Sequence, residues 1–196
     1  MKFFFLIFKL IFLGSILGAS IIIVTLWNIQ SKLPSSNISD YFPNEITKIY
    51  DTNYDLLYHV GNKDRFYLDY DQIPEDMINA IIAAEDKNFY THKGFDLQGI
   101  FRSIYVNIDN IIFKKSNNYV GASTITQQLV KNILLTNEKT LTRKIKELIL
   151  SIRIERDYSK EYILELYLNE IYFGRRSYGI ATAASNYFNK SIYDLT

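Results

Sequence analysis

Residues 10–27 carry no charge, and the apolar run from Phe3 to Phe8 extends that stretch upstream with only Lys9 interrupting it. Nothing else in the chain constrains its fold so strongly, because about 20 mostly apolar residues suffice for a helix to cross a bilayer. Lys2, Lys9 and the amino terminus precede the span. The positive-inside tendency therefore puts the N-terminus in the cytoplasm and everything after Trp27 outside, in the periplasm or at the cell surface. A cleaved signal peptide is the alternative, since Gly18, Ala19 and Ser20 offer a peptidase small residues; its apolar region usually covers about 7–15 residues, and the length here favours retention. Gly14 and Gly18 form a G-x-x-x-G pair, a spacing that can join two helices but is common in such segments anyway.

Beyond the span, a chain of 196 residues has room for one compact domain. Its 22 Lys+Arg against 21 Asp+Glu argue against a cationic surface built for nucleic acid, so an anionic ligand must be met by local clusters. With no cysteine, disulfides, thiolate metal sites and cysteine nucleophiles are excluded. Tyr 16 and Phe 13 make the chain rich in aromatics, which suits a packed core and a carbohydrate or membrane-interface surface equally.

Three regions follow. Residues 1–30 are the cytoplasmic N-terminus and transmembrane anchor. Residues 31–73 hold a polar linker with two of the three prolines, then a hairpin: Ile46 to Tyr50 alternate, Asp51 to Asp55 turn, and Leu56 to Val60 return. From Pro74 onward, in 74–196, helical periodicity takes over, with five helices expected at 74–88, 97–107, 124–135, 141–156 and 160–173, and an alanine-rich turn of helix at 180–187. Ser159 is the expected N-cap of the fifth and Gly174 its expected stop. The domain reads as mainly α.

On the first of these helices Ile78, Ile81, Ile82 and Glu85 stand at i, i+3, i+4 and i+7, so Glu85 continues the apolar stripe. Desolvation there would oppose ionisation, as general acid–base chemistry on a sugar requires; the plain alternative is a helix-end Glu rotated into water. Asp86, Phe89 and His92 add a polar and aromatic patch, though His92 could be an ordinary surface histidine. Gly121-Ala122-Ser123-Thr124 opens the third helix with free amides and hydroxyls suited to a phosphate or sugar oxygen, or with simple N-capping by Ser123. Down that helix Thr124, Gln127, Gln128 and Lys131 form a polar stripe beside the apolar Ile125, Leu129 and Ile133; with Asn132 it could bind an extended polar ligand, or be merely solvated. Lys139, Arg143, Lys144 and Lys146 crowd the start of the fourth helix, where the dipole disfavours cations. Ion pairs to Glu147 explain this as well as a diphosphate site does.

Together these segments resemble the peptidoglycan glycosyltransferase family, glycosyltransferase family 51, found at the N-terminus of class A penicillin-binding proteins. Residues 85–94, EDKNFYTHKG, look like its E-D-x-x-F-x-x-H-x-G motif; GASTITQQLVKN at 121–132, RKIKE at 143–147 and ILELYLNEIYFGRRSYG at 163–179 are similar to its second, third and fourth. The resemblance implies a mainly α, lysozyme-like glycosyltransferase domain after a single transmembrane helix and a short β-hairpin, with residues 97–118 as a mobile jaw whose Ile111, Ile112 and Phe113 touch lipid. It makes Glu85 the base that takes the proton from the 4-hydroxyl of lipid II as that oxygen attacks the anomeric carbon of the growing chain, with inversion to a β-1,4 bond and loss of undecaprenyl pyrophosphate. Lys139, Arg143, Lys144 and Lys146 would hold the pyrophosphate, with catalytic Glu147 positioning them or helping bind a divalent cation, Mg or Mn; no organic cofactor is implied. Ser123, Gln128, Lys131 and Asn132 would line the donor site, which moenomycin would occupy, and Asp86, Phe89, His92, Arg102, Thr124 and Gln127 would complete the substrate contacts. Expected partners are lipid II and the growing glycan chain, the membrane, a transpeptidase and division or elongation proteins, and no nucleic acid.

The pattern departs from the family in places. The interval from Glu85 to Glu147, 62 residues, is a few residues longer than the family's pattern, with Lys114 to Asn118 as the natural insertion, and Lys139 stands where arginine is frequent. The chain stops at Asp194-Leu195-Thr196, so the domain reads as C-terminally truncated, with no transpeptidase domain. A lysozyme-like glycan hydrolase and a catalytically inactive membrane-anchored glycan-binding fragment are the rival readings.

Overall fold

The computed structural model describes residues 2–39, 41, 47–60, 66–113, 120–136, 138 and 140–195. Helix α1 (Lys2–Ser31) contains the apolar span; from Ile7 to Ser31 it is long and apolar enough to cross a membrane, and its most apolar part is not covered by the domain. Strands β1 (Thr47–Tyr50) and β2 (Leu56–Val60) pair antiparallel, Thr47 opposite Val60 and Ile49 opposite Tyr58. The expected hairpin is thus present, its first residue, Ile46, lying outside the described residues. Asp51 closes the turn by accepting from the Asn53 and Asp55 amides, both at 2.8 Å.

Six helices follow: α2 (Glu75–Glu85), α3 (Leu97–Phe113), α4 (Ile125–Leu134), α5 (Leu141–Asp157), α6 (Lys160–Glu170) and α7 (Ile180–Phe188). Helix α6 is the centre of the core. Ile163, Leu164, Leu166 and Leu168 are all sealed from solvent, so nearly its whole circumference is apolar and buried. Helix α4 packs on both α5 and α6, contributing Ile125, Leu129 and Val130 against Leu150 and Ile154. This three-helix layer is the rigid platform to which the end of α2 is fastened.

Several boundaries differ from expectation. Helix α2 stops at Glu85, three residues early, because Asp86 swings to φ −157°. Helix α3 runs on to Phe113, with Ile111, Ile112 and Phe113 exposed. Ser159 caps α6 as expected, its side chain accepting from the Tyr162 amide, but the helix ends at Glu170; Gly174 (φ 89°) instead makes a tight turn between the bridged Tyr172 and Tyr178. The run 114–119, including the expected insertion, lies outside the described residues.

The linker expected after α1 is tied down. Ile38 is fully buried, its amide donates to Tyr158 Oη at 2.9 Å and its carbonyl accepts from Tyr162 Oη at 3.2 Å. Tyr158 Oη also donates to Asn37 Oδ1 at 2.9 Å, and Tyr41 bonds Glu170. The base of the anchor, where Ile29 is buried, is thereby held against α5 and the start of α6.

Candidate active site

The stripe of α2 buries Ile78 and Ile82, but Glu85 is the last helical residue and lies beyond the packed face. Its side chain is exposed, which corrects the desolvated carboxylate expected from the periodicity. Glu85 is oriented by a partner instead: Gln128 Nε2 on α4 donates to its Oε2 at 2.8 Å. Gln128 is held from behind, since Tyr167 Oη on α6 donates to Gln128 Oε1 at 3.2 Å. The opposite amide orientation would turn an oxygen toward the carboxylate, so Glu85 selects the amide's NH2 end and the buried phenol anchors its oxygen end. Burial first, then the charges of Glu85 and Asp86, push the Tyr167 phenol far above the ordinary tyrosine range, keeping it a donor.

Asp86 points the other way. Its carboxylate is buried, accepting from the Ile125 amide at 3.0 Å and lying 2.8 Å from His92 Nε2. The Gly94 amide donates to His92 Nδ1 at 3.2 Å, so the proton sits on Nε2 and is given to Asp86. Behind His92 lies Glu155 Oε1 at 3.9 Å; it accepts from Thr126 Oγ1 at 2.5 Å, and the other Glu155 oxygen is 2.6 Å from Lys160 Nζ. That ammonium stands 4.3 Å over the ring of Phe89, which is wholly buried. Asp86, Phe89 and His92 form a fastening that holds the end of α2 to α4, α5 and α6, and Asp86 also lines the cavity beside Glu85. Gly94 belongs to the same fastening: at φ 91°, a Cβ there would lie 2.7 Å from the Ser151 backbone.

At the start of α4 the N-cap is Thr124 rather than Ser123; its hydroxyl accepts from the Gln127 amide at 3.2 Å and donates to the Gly94 carbonyl at 2.9 Å. Ser123 is left to accept from Lys144 Nζ at 2.7 Å. Lys144 also donates to Gln127 Oε1 at 3.2 Å and to Glu147 Oε2 at 3.0 Å, while Arg143 Nη1 bonds Glu147 Oε1. Both glutamines thus make tertiary bonds; Thr124 and Gln127 are buried, and Thr124 contributes to the lining of the small cavity beside Glu85. The expected ion pairs of α5 are formed, and the same cations reach across to α4. Thr140 caps α5 by accepting from the Arg143 amide at 3.1 Å. Glu147 is 2% exposed, so its charge has to be met by the two cations. Arg143 Nε is buried without a hydrogen-bond partner among the described residues.

Between the end of α2 and the start of α4 lies a cavity of about 70 Å³, lined by Glu85, Asp96, Arg102, Gly121 and Ser123 among others. That is well below the roughly 300–1,000 Å³ of a small-molecule pocket, so it admits one polar group while a sugar chain must lie along the open groove. Burial pushes Asp96 up, but bonds from the Gly99 amide, the Asn88 side chain and the Gln98 amide outweigh it and hold the carboxyl below its ordinary range. Lys131 and Lys146 are half-buried, Asn132 and Arg102 exposed, and Lys139 lies outside the described residues. No group of three or more His, Asp or Glu side chains is placed to hold a metal ion among the described residues. Both Glu147 oxygens already carry a cation, so this carboxylate does not fit a metal ligand as it stands.

Sequence reasoning missed Tyr167, Thr126, Glu155 and Lys160. Tyr167 reads as one more core aromatic, and only the adjacency of α4 and α6 reveals its partner.

Residues 53–196 match the family model described as Transglycosylase. The chain belongs to this family, that of the peptidoglycan glycosyltransferases its motifs resemble. Similar to it are Penicillin-binding protein 1A of Rickettsia typhi, 47% identical over 195 residues, 99% of this chain and 24% of the relative, and that of Rickettsia prowazekii, 45% identical over 193 residues, 98% and 24%. Penicillin-binding protein 1A of Aquifex aeolicus is 43% identical over 176 residues, 89% of this chain and 24% of its own. The chain spans about a quarter of the length of these relatives.

Proposed function

We propose that the chain polymerises lipid II into β-1,4-linked glycan, releasing undecaprenyl pyrophosphate, with Glu85 as base. The observation that carries this reading is the Tyr167–Gln128–Glu85 relay, which orients an exposed carboxylate at a small cavity that is also lined by Ser123, the residue to which Lys144 donates. Glu85 takes the proton of the acceptor 4-hydroxyl; that oxygen forms a bond to the donor's anomeric carbon as the bond from this carbon to pyrophosphate breaks. The leaving electron pair ends on a phosphate oxygen, where Arg143 and Lys144, with Lys139 and Lys146, meet the charge. Glu147 is then a positioning residue for Arg143 and Lys144. A divalent cation, Mg or Mn, is more consistent with arrival on the substrate's phosphates than with a protein ligand set. Ser123, Gln128, Lys131 and Asn132 border the donor, and Arg102 the mouth of the small cavity.

In this reading α1 crosses the bacterial cytoplasmic membrane with its N-terminus in the cytoplasm. The domain stands outside, and the exposed Ile111, Ile112 and Phe113 at the end of α3 meet lipid. A transpeptidase and the division or elongation proteins are the partners this placement suits. The test is incubation of the purified chain in detergent with labelled lipid II and divalent cation. Polymer that moenomycin suppresses is expected; lipid II left unconsumed by well-folded protein would overturn the proposal.

A further inference from the structure

Where α1 leaves the membrane it does not stand clear of the domain. A groove of about 720 Å³ runs between its last turns and α5, lined by Ile23, Leu26, Trp27, Gln30, Ser31 and Arg153. Its walls are fixed, because Ile29 is buried at the base of α1 and the Ile38 strap holds the following residues on Tyr158 and Tyr162. Its depth in the membrane follows from helix geometry. Residues 10–27 rise about 27 Å at about 1.5 Å each, close to the roughly 30 Å hydrocarbon core. Trp27, 76% exposed, then falls at the outer boundary, where interfacial tryptophan is favoured. Ile23 and Leu26 face acyl chains, and Gln30, Ser31 and the Arg153 guanidinium stand at the level of lipid phosphates. Arg153 makes no hydrogen bond or ion pair among the described residues, and Asp157, one turn on, is held by Arg156 at 2.8 and 3.1 Å.

We infer that this groove binds an anionic phospholipid, its phosphate on Arg153 and an acyl chain along Ile23 and Leu26, wedged between anchor and domain. Arg153 acts on Asp157 only through space, that carboxylate being bonded by Arg156, and a cation without a direct partner over an apolar cleft at that depth is completed by a lipid of net negative charge. A zwitterionic lipid brings a competing cation of its own. The inference rests on α1 spanning the bilayer.

Trp27 is the chain's single tryptophan, so its emission reports on this groove alone. The full chain is reconstituted in phosphatidylcholine vesicles containing a small fraction of brominated phosphatidylglycerol or, separately, brominated phosphatidylcholine. Brominated phosphatidylglycerol should occupy the quenching position about fivefold more readily, the preference conferred by one basic side chain near lipid phosphates. Arg153→Gln should abolish that preference, and Arg156→Gln, whose guanidinium is already paired, should keep it. Equal quenching of the unaltered chain by the two lipids, or a preference surviving in Arg153→Gln, would overturn the site. Emission that no brominated lipid quenches would instead overturn the membrane-spanning reading of α1.

Discussion

Tyr167→Phe removes one oxygen, 2% exposed residue and all, from behind the groove without touching any group that faces substrate. The lost bond is the 3.2 Å contact to Gln128 Oε1, a neutral hydrogen bond worth about 0.5–1.5 kcal/mol. Gln128 is only half-buried, so water can replace the phenol and the stability cost should stay near 1 kcal/mol, a fall of roughly 2–4 °C in Tm. The effect on rate should be larger than that loss suggests. Once the phenol no longer anchors the amide oxygen, Gln128 holds Glu85 less firmly, and kcat/KM for lipid II polymerisation should drop about tenfold, equivalent to about 1.4 kcal/mol. The decisive arm is a double-mutant cycle scored by initial rates of polymer formation. In a Gln128→Leu background, Tyr167→Phe should cost nothing further, because its only route to Glu85 has gone. Additive losses would refute the relay.

Gly94→Ala should destabilise the chain by at least about 2 kcal/mol in denaturant unfolding, since a φ of 91° and a 2.7 Å approach to the Ser151 backbone leave no room for a Cβ. Asp96→Asn should be less stable than the parent at neutral pH. Because the folded carboxyl lies below its ordinary 3.8, the stabilisation is present above that value and disappears as pH falls through the folded one, so the two unfolding midpoints should converge in acid. Glu147→Gln should cost about 3 kcal/mol, by leaving Arg143 and Lys144 without their buried counter-charge, and should abolish polymerisation. A chelator added to substrate-free protein should leave Tm unchanged, and a chelator-dependent fall would place a cation on the protein itself.

Much of this was legible in the chain. Helical periodicity located five of the domain's helices, because one-sided burial writes a 3.6-residue repeat into sequence, and read the short α7 as a single turn. It failed where burial is not one-sided or where an element ends. Helix α4 is covered on most of its circumference, so Gln127, placed in a polar stripe by its spacing, is among its buried residues, as is Thr126. Glu85 lies at the right angle for the apolar stripe but one residue short of a helix that could carry it inward. Ile38 gave no warning at all: one apolar residue in a polar stretch has no period, and only the hydroxyls of Tyr158 and Tyr162, over a hundred positions away, show that it is clamped. Motif resemblance grouped Asp86, Phe89 and His92 as substrate contacts. That they also fasten the end of α2 is visible only in their burial and bonds.

The role given to Glu85 is tested most directly by Glu85→Gln, which keeps the side chain's length and its place beside Gln128 while removing the base. Initial rates of lipid II polymerisation should fall by at least about 100-fold, with the Tm unchanged within error because the residue is exposed. A folded Glu85→Gln protein that polymerises lipid II within a few-fold of the parent would contradict it.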